Sequence, residues 1–237
     1  MTNDQLKSLI AESGLQITEG EMRVLGQFVD LFIEKNKIIN LTKINSQKEF
    51  LIKHILDSLF VGKYAEIEPN MRVADLGTGG GLPGIPLAIL NPDTRFTLID
   101  SVQKKIRCIR EFVGKLGLKN VICLSDRLES IGHNKQYRGQ FDVVIARALA
   151  PMPVVLELAL PLVKIGGIFA AMKGPGYVSE LDGAKNAMEQ LNIGLPKIEK
   201  YELPENMGTH FLLMFSKNNP THDIYPRHVG IPSKKPL

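Results

Sequence analysis

Apolar positions first recur along this chain with a helical period. Between residues 18 and 37 they fall at Leu25, Phe28, Val29, Phe32 and Ile33, three or four apart behind Thr18, a capping residue. A second amphipathic segment over 46–61 repeats Phe50, Leu51, Ile55 and Leu59. Past a polar link from Glu66 to Asn70, short apolar runs alternate with amphipathic stretches. They predict strands at 71–76, 95–100, 120–125, 141–147 and 166–173, and helices at 82–90, 102–117, 151–164 and 177–192. Two alternating runs, 197–203 and 210–217, predict a closing hairpin around Pro204 to Gly208. Strands separated by helices imply an α/β fold, a doubly wound seven-stranded sheet with an N-terminal helical extension. The expected division is residues 1–66 for the extension, 67–218 for the core and 219–237 for a basic, Pro-containing tail.

The first strand ends in an acid and opens into a glycine-dense turn, Asp75-Leu-Gly-Thr-Gly-Gly-Gly-Leu-Pro-Gly-Ile-Pro86. Gly77, Gly79, Gly80 and Gly81 permit positive φ and close approach of a ligand to the backbone. Leu82 starts a helix, with Pro83 and Pro86 in the first turn where a missing N–H costs least. Strand, loop and helix N-terminus together make a nucleotide-type cofactor site. Gly79-x-Gly81-x-x-Gly84 satisfies the dinucleotide fingerprint, a weak signal by itself. Asp75 argues against a pyrophosphate, which its carboxylate would repel, and for a cofactor with a cationic amino-acid end. S-adenosylmethionine is such a cofactor. The second strand also ends in an acid, Asp100, at the spacing of a ribose ligand.

Composition narrows the setting. With 237 residues and 44% hydrophobic content, one large core is expected. No apolar run approaches a membrane span, and the polar start Met1-Thr-Asn-Asp-Gln5 has no signal-peptide pattern, so a cytoplasmic protein is expected. Cys108 and Cys123 offer neither a disulfide framework nor metal-ligand spacing, and no metal site is expected. A net charge of +4 does not by itself establish nucleic-acid binding. Its distribution says more: Lys104, Lys105, Arg107 and Arg110 follow Asp100, and Arg227, Lys234 and Lys235 lie among prolines in the tail. That tail is expected to be extended, as an arm for RNA phosphates or a solvated end, with Tyr225, Val229, Ile231 and Leu237 offering the alternative of a segment anchored on the core.

Cytosine-C5 methylation requires a nucleophilic cysteine, and exocyclic-amine methylation commonly uses an Asn/Asp-Pro-Pro-aromatic loop after the fourth strand; neither is present. The fourth strand instead carries Arg147 at its carboxyl end, where this architecture binds ligands. An acceptor with its own lone pair, such as guanine N7, needs alignment rather than a general base. Arg147 or Lys173 would then hold a phosphate or the guanine O6.

Beyond that loop, Asn40-Leu-Thr42, His54-Ile-Leu-Asp-Ser-Leu59, Asp100-Ser with Lys104-Lys105, Arg127-Leu-Glu129, Ala146-Arg-Ala148, Met172-Lys-Gly174 and the terminal Tyr-Pro-Arg…Lys-Lys-Pro-Leu are spread over nearly the whole chain. Together they resemble the bacterial small-subunit ribosomal RNA guanine-N7 methyltransferases, the glucose-inhibited division protein B family. The resemblance implies a Rossmann-like class I methyltransferase that uses S-adenosylmethionine, releases S-adenosylhomocysteine, and methylates one guanine N7 of 16S rRNA near the decoding region, within a small-subunit particle. It assigns Gly77 and Leu82 to the cofactor loop, Leu128 and Glu129 to the adenosine side, and Arg147 to the junction of cofactor and substrate. The full set for the cofactor is Asp75, Gly77, Gly79, Gly81, Leu82, Asp100, Leu128, Glu129 and Arg147, with Arg147 and Lys173 positioning the substrate. Where relatives often carry Glu-Arg at the last strand, this chain has Thr209-His210. His54 and Asp57, three apart on one helix face, either shape the acceptor pocket or bond helix to core. A nicotinamide-dependent oxidoreductase on the same loop and a non-catalytic RNA-binding protein remain the alternatives.

Overall fold

The computed structural model describes residues 3–44 and 46–237; Met1 and Thr2 of the polar start lie outside it, as does Asn45. Helix α1 (Asn3–Glu12), which the apolar pattern does not predict, precedes α2 (Glu19–Ile39). At the start of α2, Thr18 Oγ1 accepts from Glu21 N at 3.2 Å and Glu21 Oε2 accepts from Thr18 N at 2.6 Å. This reciprocal cap stabilises the helix by about 1 kcal/mol. The helix stops at Asn40, whose φ of 47° turns the chain and whose N–H still reaches Asn36 O.

The segment predicted over 46–61 is one continuous rod with an irregular centre: α3 (Gln47–Phe50), a π-helical turn (Leu51–Leu56) and α4 (Asp57–Tyr64). Single wide turns of this kind often mark functional sites, and this one carries His54.

All seven predicted strands are present. They are β1 (Arg72–Leu76), β2 (Arg95–Ile99), β3 (Val121–Leu124), β4 (Phe141–Arg147), β5 (Val163–Lys173), β6 (Lys197–Glu202) and β7 (Thr209–Ser216). Their order is β3-β2-β1-β4-β5-β7-β6, with β7 antiparallel to both neighbours. The order reverses between β1 and β4, so the loops leaving those two carboxyl ends diverge and open a crevice. The central strands β1 and β4 read as largely apolar runs because both faces of the sheet are covered there, whereas the edge strand β6 alternates with charged residues. Val73 packs with Phe28, Phe96 and Leu98 on one face, while Ala74 and Leu76 pack with Val144, Phe169 and Phe215 on the other.

The helices between them are α5 (Gly84–Leu90), α6 (Gln103–Leu116), α7 (Leu128–His133) and α8 (Met152–Ala159), followed by α9 (Tyr177–Asp182) and α10 (Lys185–Gln190). Three departures from the sequence reading have local causes. The helix expected over 151–164 ends at Ala159, because Pro161 cannot continue it, and β5 starts early at Val163. The helix expected over 177–192 divides at Gly183 and Ala184. Helix α7 is too short to show a period.

The C-terminal tail is the clearest correction. Instead of extending, it lies on the core and ends in α11 (Ile231–Lys234). Arg138 holds it by donating to the carbonyls of Tyr225, Thr221 and His222 at 2.7–3.1 Å. Arg227 donates from N, Nε and Nη2 to the fully buried carboxylate of Glu157 at 2.7–2.9 Å. Glu157 explains why the tail packs: an unpaired carboxylate in that apolar helix would cost several kcal/mol. Among the described residues, no helix is long and apolar enough to cross a membrane.

Candidate active site

The loop after β1 is fastened to the end of β2. Thr78 N donates to Ile99 O at 3.0 Å and Gly79 N to Asp100 Oδ2 at 3.1 Å. Asp100 Oδ1 accepts from Val102 N at 2.8 Å, so this carboxylate orders the loop on both sides of itself. Gly77, Gly79 and Gly81 take φ values of 67°, 59° and 89°, which L side chains rarely adopt. Gly80 serves packing instead, because a Cβ there would meet the Phe32 ring of α2 at 2.4 Å.

Asp75 lies beneath this loop rather than on its wall. It is 1% exposed, and its Oδ2 accepts from Thr78 Oγ1 at 2.7 Å and Gly84 N at 2.9 Å. Its Oδ1 is buried with no hydrogen-bond partner. Burial raises the Asp75 pKa to about 6, against the opposing hydrogen bonds and the Arg147 charge. A buried carboxylate oxygen left without a donor, beneath a loop whose glycines let a ligand approach the backbone closely, fits a cofactor that brings a cation.

Two cavities flank this loop. The smaller, about 360 Å³, lies toward β2 and β3 and is lined by Asp100, Arg127, Leu128 and Glu129. The larger, about 950 Å³, lies toward β4 and β5 and is lined by Gly79, Leu82, Arg147, Lys173, His54 and Asp57. Gly77, Ala148, Leu149 and Ala150 border both. Leu149 crosses over the loop, close enough that a Cβ on Gly77 would meet its Cδ1 at 2.6 Å. Of the sequence-predicted residues, Asp75 and Gly81 line neither cavity and support the loop from within.

On the larger cavity, Arg147 is held by the π-helical turn. Its Nη1 lies 3.0 Å from His54 Nδ1, 3.4 Å from Lys53 O and 3.6 Å from Asp57 Oδ2. His54 Nδ1 also lies 3.0 Å from Lys53 O; a guanidinium only donates, so the Arg147 contact selects the tautomer in which Nδ1 accepts and Nε2–H donates to Thr42 Oγ1, 2.9 Å away. Burial, reinforced by the Arg147 charge, lowers the His54 pKa to about 4, which keeps this tautomer neutral. His54 and Asp57 bond their helix to the core, and both also border the larger cavity.

Asp57 is the centre of a network with no sequence signature. Its Oδ1 accepts from Tyr201 O–H at 2.8 Å and His210 Nδ1 at 2.9 Å. His210 borders the same cavity. Lys173 Nζ is already engaged, 2.5 Å from Glu180 Oε2 and 3.2 Å from Ala150 O. That leaves Arg147 as the better placed of the two predicted cations.

Residues 21–206 match the family model described as rRNA small subunit methyltransferase G. The chain belongs to that family. Proteins named ribosomal RNA small subunit methyltransferase G are 40% identical in Desulforamulus reducens, covering 98% of this chain and 97% of the relative. In Oceanobacillus iheyensis the identity is 36% over the whole of both chains. Solved structures with the same fold include the precorrin-6y C5,15-methyltransferase of Geobacter metallireducens (TM-score 0.53, 13% identity, 68% of this chain and 87% of that one). A second is the [4+2]-cyclase SpnF (TM-score 0.55, 14% identity, 70% and 81%). At such identities the likeness shows the fold, a Rossmann-like class I methyltransferase sheet, and leaves the chemistry to the site. Family membership stands against the oxidoreductase reading.

Proposed function

We propose that this protein transfers a methyl group from S-adenosylmethionine to the N7 of one guanine in 16S rRNA, with a small-subunit ribosomal particle as substrate. Family membership supports the RNA, and the arrangement around Arg147 supports the type of acceptor. When bound, S-adenosylmethionine supplies an electrophilic methyl on a cationic sulfur. Gly77, Gly79 and Leu82 would hold its amino-acid portion over Asp75, Asp100 its ribose, and Leu128 and Glu129 its adenine. Their places along the two cavities support this order.

The observation that carries the reading is a fixed cation beside the loop, braced by neutral His54 and buried Asp57. Such a group positions and polarises; it takes no proton. Guanine N7 carries none to lose, so alignment by Arg147 and exclusion of water by Leu149 and Leu82 suffice for transfer. Arg147 acts on a phosphate or on O6, whose partial negative charge suits a guanidinium.

Small-subunit particles from cells lacking this protein test the proposal directly. Incubated with the protein and S-adenosylmethionine carrying a labelled methyl, they should gain one methyl, located by borohydride–aniline cleavage specific to 7-methylguanine. Incorporation without such cleavage would overturn the N7 assignment, and incorporation into naked 16S rRNA alone would overturn the particle.

A further inference from the structure

We infer that the C-terminal segment after Thr221 is part of the cofactor site and completes its adenosine end. This rests on the proposed reading that the cleft holds S-adenosylmethionine. Ser233, in α11, lines the smaller cavity together with Asp100, Leu128 and Glu129. Three residues earlier, Gly230 N donates to Glu129 Oε1 at 2.9 Å. That bond takes one oxygen of the carboxylate and fixes its rotamer, leaving Oε2 as the acceptor for a ligand's N–H or O–H groups. The tail thus adds a wall to the cavity and sets the orientation of Glu129.

Its anchors lie away from the cavity, so the placement does not depend on a bound cofactor. Arg227 neutralises buried Glu157, and His133 Nε2 lies 2.6 Å from Pro226 O. A Cβ on Gly132 would meet the Pro226 ring at 2.5 Å, which shows how closely the tail is seated on α7. Helix α7 begins with Leu128 and Glu129, so the tail braces the helix that presents both adenosine-side residues. Arg227 is paired with Glu157 and with the Lys235 carbonyl. Only Lys234 and Lys235 of the tail's three cations stay exposed.

Calorimetry on the full chain with S-adenosylhomocysteine, and with 5′-methylthioadenosine, which lacks the amino-acid end, sets the reference. If the full chain binds neither, the cofactor reading fails before the tail is in question. Truncation after Gly230 removes Ser233 but keeps Arg227 and the bond to Glu129, and should weaken both ligands about tenfold. Gly230→Pro removes the N–H that holds Glu129 and, because proline cannot take the φ of 83° found there, also displaces the turn into α11, and it should weaken both in the same way. Because the loss lies at the adenosine end, it must be equal for the two ligands. Ser233→Glu, at an exposed position that folding does not need, should also weaken both and decides the matter if the truncated chain does not fold. Unchanged affinity in Ser233→Glu and Gly230→Pro overturns the inference, as does a loss confined to S-adenosylhomocysteine. Unchanged cofactor affinity with a flatter salt dependence of RNA binding would make the segment an RNA arm instead.

Discussion

On the β2–β3 side of the cleft, backbone does the holding: loop N–H groups, φ-positive glycines and two carboxylates, Asp100 and Glu129, each bonded to a main-chain N–H. On the β4–β5 side, side chains from separate elements meet, with Arg147 from β4, His54 from the π-helical turn, Asp57 from α4 and His210 from β7. The first kind of wall is rigid and suits one invariant ligand. The second is a network of charges whose geometry depends on every member, and it suits aligning a large substrate. Substitutions on the first side should therefore change affinity for the cofactor, and substitutions on the second should change turnover.

The largest effect is expected from Arg147→Met. Loss of a preorganised cation beside the reacting atoms should lower kcat by roughly 10²–10³-fold, while affinity for S-adenosylhomocysteine stays within a few-fold. Initial rates on particles, set beside calorimetry, check both halves. A matching collapse of cofactor affinity would break the division between the two walls. Asp57→Asn should shift the same rates in the same direction by less, because His54 and Lys53 O still hold the guanidinium.

Asp100→Ala comes next. It removes the acceptor for Gly79 N and Val102 N as well as the proposed ribose ligand, and should weaken cofactor binding by about 1–3 kcal/mol. At saturating cofactor, kcat should fall by only a few-fold. A titration with S-adenosylhomocysteine and a rate at high cofactor concentration separate the two quantities.

Much of the first wall is legible in the sequence, because it is local: a strand-end acid, a glycine run and a second acid at a fixed interval mark it without reference to the rest of the chain. The strands are legible for a similar reason, the central ones as apolar runs covered on both faces and the closing hairpin as alternating runs. The second wall is only partly legible. Arg147 follows from its place at a strand end, but Asp57 meets Tyr201 across 144 residues and His210 across 153. No spacing encodes such pairs, which exist only after α4 and the β6–β7 hairpin dock. The tail is left undecided by the sequence for the same reason. Its prolines and cations read as an arm, while the cause of its packing is Glu157, an acid inside an otherwise apolar helix 70 residues away. That acid is itself a clue, since a buried charge requires a partner somewhere.

The smallest effect concerns Asp75 and sharpens the account of the first wall. In the free protein burial raises its pKa to about 6 from the ordinary 3.8, and its Oδ1 lacks a donor. A raised carboxylate binds its proton more tightly in the folded chain, so its contribution to stability is present at low pH and lost as pH rises through 6. A cationic cofactor reverses the preference by favouring the ionised form, so binding near pH 6 should release a proton. Affinity for S-adenosylmethionine should then climb as pH rises from 5 to 7 and level off above, by about tenfold in all, since each unit below the free-protein pKa costs up to tenfold. Calorimetry at pH 6 in two buffers of different ionisation enthalpy measures the proton directly. Asp75→Asn should abolish that release and flatten the pH profile, although the amide must also replace the acceptor for Thr78 and Gly84, so some affinity is lost at every pH. Binding that is independent of pH in the unaltered protein, with no proton released, would leave Asp75 as a purely internal brace of the loop.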